Sequence, residues 1–296
     1  MNISKSLVLP VLFVLAISSC KKSSDDPIVP VAGPKINFIF KFDSTQARLN
    51  AFGSPVGVAA GNDAQSPVFN VMSAHYLEMT ANEFTGIGAG AVLYKAPETT
   101  VGGSTAIDFS KSIFKGNGET FLSVPIDSFA AGTYNWLRVS LAYQNYNIKF
   151  RANGQNYTGT LASFIGFRTY VGTYKIKDSS VVVNANKDQG YWGFETVVPG
   201  FGSFINTGQA PAGSTTVPNP IFATSPIPQG SCLVTGKFLA PLVVTGTETS
   251  DINIIVSLSI NKSFEWKEMS GPGTFDPLNG DYAVDMGIRG LVTYKQ

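Results

Sequence analysis

The segment Asp251-Ile252-Asn253-Ile254-Ile255-Val256-Ser257-Leu258-Ser259-Ile260 puts Ile252, Ile254, Val256, Leu258 and Ile260 at every second position, with Asn253, Ser257 and Ser259 between them. Side chains two apart share one face of an extended chain, so this pattern reads as a half-buried strand. Near the other end of the chain, Ile36, Phe38, Phe40 and Phe42 fall on one face and Asn37 and Lys41 on the other. Between these two, further strands are expected at 121–126, 134–142, 146–151, 167–176, 179–185, 190–198, 232–239, 241–245, 263–268 and 283–295. Many of them are β-branched or aromatic, and Ala131-Gly132, Asn153-Gly154 and Asn279-Gly280 supply turn chemistry beside them. No stretch of the body sustains a helical apolar stripe. The best helical candidate is 67–80, whose second half also fits a strand. The pattern predicts an all-β fold: an antiparallel β-sandwich, with room for Greek-key connections, long Gly/Pro-rich loops and little helix.

Composition narrows the function classes. Only 14% of the 296 residues are charged, against ~25% in an ordinary soluble domain, while Gly and Pro number 30 and 17. Lys and Arg (21) nearly balance Asp and Glu (20), giving a net charge of +1 with no basic cluster. Nucleic acid is therefore excluded as a partner, since binding it requires cationic side chains that displace counterions from phosphates. A single histidine cannot build a multi-histidine zinc site, and two cysteines cannot build a disulfide framework.

Lys5 followed by the apolar run Leu7–Ile17, interrupted only by Pro10, has the layout of a signal peptide over residues 1–19. The run is too short to cross a bilayer, which takes about 20 apolar residues. Ile17-Ser18-Ser19-Cys20 resembles the bacterial lipobox, and Ser24-Asp25-Asp26 is similar to the export signal of outer-membrane lipoproteins of the Bacteroidetes. The resemblance implies cleavage before Cys20, a diacylglycerol with palmitate-type chains on its sulfur, and attachment through that lipid to the outer membrane bilayer, exposed at the cell surface. Residues 20–35, punctuated by Pro27, Pro30 and Pro34, then form a tether, and 36–296 form the β-sandwich domain. Ala131-Gly132-Thr133-Tyr134 is similar to strand openings in β-sandwich lipoproteins of that group. With Cys20 acylated, Cys232 has no disulfide partner and is expected to behave as a small buried apolar side chain. Residues 199–230 hold no Asp, Glu, Lys or Arg, six prolines and five glycines, yet also Phe201, Phe204, Ile205, Ile221 and Phe222. Aromatics in so long a connection favour an ordered arm packed over the sandwich; the alternative is a linker between 36–198 and 231–296.

Motifs of catalysis are absent: there is no Gly-x-Ser-x-Gly, phosphate loop, His-Glu-x-x-His or Cys-x-x-Cys. Sugars stack on aromatic rings and bond to amides and carboxylates, so Tyr143, Asn145 and Asn147, Tyr191 and Glu195, and Trp266 are the candidate ligand-binding side chains. Strand parity puts Tyr143, Asn145 and Asn147 on one face with Val139 and Leu141, and separates Tyr191 and Glu195 from Trp192. Buried aromatic packing competes with that reading. Met72, His75 and Met79 would share a face on a helix and suit Cu(I); on a regular strand Met72 would face away from the other two. Asp276, Asn279, Asp281 and Asp285 offer oxygen ligands for Ca²⁺ without the EF-hand pattern, and an Asn-Gly hairpin turn accounts for them equally. No cofactor is required by any motif, copper and calcium being the two metals considered. Asp43-Ser44-Thr45 looks like a short O-glycosylation motif of periplasmic Bacteroidetes proteins.

The expected function is that of a membrane-anchored, non-catalytic binding or surface lipoprotein presenting loops, 199–230 among them, to a glycan or protein partner. The alternatives are a periplasmic copper-handling protein using Met72, His75 and Met79, and an enzyme acting on polysaccharide, which would need two carboxylates across a cleft. Cys20→Ser is expected to abolish acyl labelling and release the protein from the membrane fraction; a mutant that stays membrane-bound with its acyl label contradicts the lipid anchor.

Overall fold

A computed structural model of the chain describes residues 33–50, 53–210, 232–271 and 273–296. Cys20, most of the tether and residues 211–230 of the uncharged segment lie outside the described residues. Residues 33–296 belong to one compact unit, and the described part is built from β1 (Lys35–Asp43), β2 (Asn62–Gln65), β3 (Val68–Thr80), β4 (Ala91–Lys95), β5 (Glu98–Thr99), β6 (Ala106–Asp108), β7 (Thr120–Pro125), β8 (Gly132–Ala152), β9 (Gln155–Phe164), β10 (Thr169–Lys175), β11 (Ser180–Lys187), β12 (Tyr191–Val198), β13 (Gly202–Gln209), β14 (Cys232–Val244), β15 (Ile252–Ser259), β16 (Phe264–Lys267), β17 (Tyr282–Met286) and β18 (Leu291–Lys295). Only short 3₁₀ turns interrupt the strands; no α-helix occurs among the described residues.

The two segments that reveal the strand pattern are neighbours. β1 runs parallel to β15, with Ile36 opposite Ile252, Phe38 opposite Ile254 and Phe40 opposite Val256. Parallel neighbours need a crossover between them, and here nearly the whole domain supplies it. β1 also pairs with β7, and β15 with β18. The resulting branch packs Phe38, Phe40, Val256 and Leu258 against Met72, Leu77 and Met79 of β3 and Leu137 and Val139 of β8 in the main core. That sheet-on-sheet contact is the sandwich. Within that branch, Phe40 of β1 and Phe121 of the neighbouring β7 stack with ring centroids 4.5 Å apart.

β8 joins the layers. Its residues 136–147 pair with β3, residues 132–141 with β14 and residues 143–152 with β9. Because the β14 and β9 registers do not overlap, those two strands succeed each other along one edge of β8, and the sheet forks there. A second, four-stranded sheet, in the order β11-β10-β6-β5, covers the other face of the β9–β12 branch. Tyr143, Phe164, Val171, Tyr174, Ile176 and Tyr191 form the core between them. The third sheet, β17-β16-β2, is small.

Several sequence expectations change here. Residues 67–80 form a strand rather than a helix. β3 carries an extra residue at His75, between the pairs Ala74–Leu141 and Tyr76–Ser140, so its core-facing positions are 72, 74, 77 and 79. One bulge inside a period of two imitates helical spacing. The stretches 134–142 and 146–151 are a single strand, as are 232–239 and 241–245, whereas 283–295 breaks into β17 and β18 around Gly287–Gly290. Residues 155–164 add a strand that the apolar pattern does not announce. Asn153-Gly154 does turn the β8–β9 hairpin, both residues having positive φ (51° and 75°) as a two-residue type I′ turn requires. Asn279-Gly280 instead ends a 3₁₀ turn, Pro277–Asn279, inside the long β16–β17 connection.

The ends of the domain are tied by buried charges. Arg48 donates to Glu265 at 2.6 Å, Arg289 lies 3.7 Å from the same carboxylate, and Arg289 also pairs with Asp285. Glu265 additionally accepts from Asn62 Nδ2 and the Ala59 amide. Burial pushes its carboxyl up, but the bonds from Asn62 and Arg48 outweigh burial and hold it below the usual range. Removing Glu265 takes away the carboxylate paired with Arg48, and breaking a buried pair in this way costs about 3–5 kcal/mol. Glu265→Ala is expected to lower the unfolding free energy by about that amount in urea titration; a change near zero contradicts the cluster's role.

Candidate functional site

A cleft of about 720 Å³ lies between the β9–β12–β13 branch and the β16–β17 unit. One wall carries Trp192 and Phe194 of β12 with Phe150 of β8 and Phe204 and Ile205 of β13; the other carries Phe275, Pro277 and Tyr282. Alternation along β12 sorts its side chains: Trp192 and Phe194 face the cleft, Tyr191 and Glu195 the opposite core. Two glycines let the cleft-side rings lie flat. Trp192 sits opposite Gly208 on β13, where a Cβ would fall 2.6 Å from the indole, and a Cβ on Gly159 would fall 2.2 Å from the Phe194 ring. Each ring covers bare backbone with one face and offers the other to the cleft. Phe204, Ile205 and Tyr282 stand at the mouth, about half exposed.

Polar chemistry in the cleft is sparse. Asn206 and Gln209 contribute from β13, and Asp281 is the single carboxylate among the described lining residues. Its oxygens are already occupied: the amides of Met269, Ser270 and Asp276 and the Ser270 hydroxyl all donate to them. Burial pushes that carboxyl up, and these bonds outweigh it, leaving it below its ordinary value. Asp281 thus shapes the β16–β17 loop.

The side chains expected to bind sugar are placed elsewhere. Tyr143 and Tyr191 are buried in the second core, and Lys187 lies over the Tyr191 ring at 4.5 Å. Asn145 is consumed by Asn70 and the Ile176 carbonyl, and Asn147 accepts from Thr160. Glu195, fully buried, accepts from the amides of Lys177, Asp178 and Ser179 and fixes the β10–β11 turn. Trp266 belongs to the main core and donates Nε1 to Glu268. The shared face of Tyr143 and Asn145 with Val139 and Leu141 is not observed, because Ala142 is an extra residue between the pairs Ser73–Tyr143 and Ala74–Leu141. Beyond that bulge β8 turns its odd positions to the second core and its even ones, Tyr146 and Ile148, to the main core. The cleft residue most legible in the sequence is Trp192, which stands beside two of the candidates. Phe194 gave no separate signal, since a ring in a strand is equally a core residue, whereas Phe204 and Ile205 belong to the uncharged segment 199–230, expected to present binding surface.

Met72 and Met79 both point into the main core, whereas His75 faces out to Glu98, its Nε2 3.0 Å from the carboxylate, and stacks on Phe167. At about 3.3 Å per strand residue, Met72 and Met79 stand roughly 20 Å apart, too far to share an ion. The bulge that aligns the two methionines turns the histidine away. No group of three His, Cys, Asp or Glu suited to a metal occurs among the described residues; Asp285 is held by Arg289 and Asp281 by backbone amides, so the proposed calcium ligands do not converge. Cys232 is a free thiol buried in the main core, its pKa pushed up to about 12 by burial.

No known protein family matches the chain, and neither a curated protein nor a solved structure matches it.

Burial pulls the His75 imidazole below its usual 6.5; Glu98 offsets part of this and Lys95 adds to it. A histidine kept neutral by the fold contributes stability that is present above pH 6.5 and lost as pH falls through its folded value. Since the chain has one histidine, its imidazole is the main group expected to take up a proton on unfolding in the window just below pH 6.5, with carboxylates joining as the pH approaches about 5. His75→Gln should flatten the pH dependence of stability in that window, and an unchanged slope contradicts the assignment.

Proposed function

We propose that the chain is a lipid-anchored, non-catalytic binding protein, and that its ligand site is the aromatic cleft between β12–β13 and the β16–β17 unit. The cleft carries the proposal: small-molecule sites are concave, about 300–1,000 Å³ and mostly apolar with a few polar groups, and 720 Å³ lined by Trp192, Phe194, Phe204, Phe275 and Tyr282 fits that description. A ligand that meets those ring faces and few hydrogen-bonding groups is apolar or amphipathic. A saccharide would bring more hydroxyls than Asn206 and Gln209 can satisfy.

The anchoring half of the proposal rests on Ile17-Ser18-Ser19-Cys20 and the Pro-punctuated tether after it. The uncharged segment beginning at 199 contributes β13 to the cleft wall, in keeping with a segment that presents binding surface. The non-catalytic half is supported by the cleft's lone carboxylate, already engaged, where glycoside hydrolysis would need two.

N-Phenyl-1-naphthylamine, an apolar fluorescent probe, is expected to bind with enhanced emission and to quench Trp192. Trp192→Ala and Phe204→Ser should each weaken it by about tenfold, the equivalent of one lost ring contact. Equal affinity in both variants removes the cleft as the site.

A further inference from the structure

The β16–β17 loop has two sides. Along its extended part, Phe275 and Pro277 enter the aromatic cleft, while Thr274, Asp276 and Asn279 line a separate pocket of about 210 Å³ completed by Ser270, Gly271 and the tip of the β8–β9 hairpin at Arg151 and Gly154. We infer that this second pocket is a binding site for a polyhydroxylated ligand the size of a single sugar ring, gripped between the Asp276 carboxylate and the Arg151 guanidinium.

Asp276 is only 3% exposed. Its Oδ2 accepts from Asn279 Nδ2 at 2.8 Å, but its Oδ1 is buried with no hydrogen-bond partner. An orphaned carboxylate oxygen is costly and calls for a donor. The side chain is not free to find one by rotation: Oδ2 is tied to Asn279, the Asp276 amide donates to Asp281 Oδ2 at 2.7 Å, and its carbonyl accepts from the amides of Asn279 and Asp281. Across the pocket, Arg151 is exposed and forms no ion pair among the described residues. Its backbone amide donates to the Phe275 carbonyl at 2.7 Å, so hairpin and loop hold their spacing.

The chemistry of these groups selects the ligand. A hydroxyl gives one hydrogen to the one open acceptor and leaves its oxygen to accept from a guanidinium, and a ring with neighbouring hydroxyls does both at once. An ammonium would bring three donors to a single open oxygen. A calcium ion requires six or more oxygens and would sit beside an arginine with one carboxylate to neutralise it. On the other side of Thr274, a groove of about 670 Å³ bordered by Gln65, Lys149 and Tyr157 gives room for further units of a chain. The pocket and the cleft share no lining residue, so the two are tested separately.

Asp276→Asn tests the site, because with Asn279 still bonded the new amide puts a donor where the acceptor was. The full-length protein is screened on an array of neutral glycans and the best binder is measured by calorimetry. At least one glycan is expected to bind, with affinity lowered about tenfold or more by Asp276→Asn and by the surface variant Arg151→Ala, while binding of N-phenyl-1-naphthylamine is unchanged in both. The proposal is overturned by an array blank for the wild type, by a bound glycan indifferent to both substitutions, or by calcium chloride raising the Tm of the wild type but not of Asp276→Asn.

Discussion

The 21 residues of β8 run through the fold with both edges paired and most side chains buried on both faces, so any polar group on them needs a partner inside the protein. Arg138 is the extreme case. Fully buried, it lies 3.9 Å from Glu78 on the adjacent strand, and its Nη2 donates to the Glu83 carbonyl. Glu78 in turn accepts from the amides of Gly88 and Gly90. The 81–90 loop is thereby folded back over the sheet to serve a charged pair that the sandwich itself cannot satisfy. Such pairs add little net stability over an apolar substitute, but a strand slipped by one residue would leave both charges unmatched, so register is what they secure.

The same strand explains where the cleft lies. The bulge at Ala142 exchanges the two faces of β8, so one strand serves the main core through Leu137, Val139 and Leu141 and the second core through Tyr143. Beyond the exchange, β8 and β9 diverge from β14 and carry β12 and β13 away from the β1–β15 branch. The even positions there, Ile148 and Phe150, are left without a strand layer of their own and meet the β16–β17 unit across the cleft. The cleft is the gap left by a forked sheet, floored with rings that Gly159 and Gly208 allow to lie flat.

Much of this architecture was legible in residue order. Period-two alternation at 36–42 and 252–260 identifies the strands that lead the sandwich, and Asn153-Gly154 identifies the central hairpin. What alternation cannot show is a bulge: single extra residues at His75 and Ala142 reverse every parity argument downstream of them, which is why Met72 and Met79 share a face and why Tyr143 parts from Leu141. β9 escaped because Thr158, Gly159 and Thr160 have the composition of a turn, and only their pairing with β8 and, from Gly159 on, with β12 makes them strand. The sugar-facing candidates were misplaced for a related reason. Glu195 and Asn145 are buried, and Asn147 half-buried, to satisfy turns and neighbouring strands, and sequence does not distinguish a carboxylate that caps a hairpin from one that meets a ligand. Trp192 could be seen; that it faces a cleft depends on the loop at 274–282, far away in the chain.

The claim that binds these observations together is that the forked sheet makes an apolar ligand site. Photo-cross-linking tests it most directly: a diazirine-bearing naphthyl probe is irradiated with the full-length protein and the labelled peptides are identified by mass spectrometry. The fork geometry predicts label on the segments containing Trp192 and Phe194, Phe204 to Asn206, and Phe275 to Ala283, competed away by excess unlabelled probe. Saturable label confined to other segments, with these peptides untouched, would contradict it.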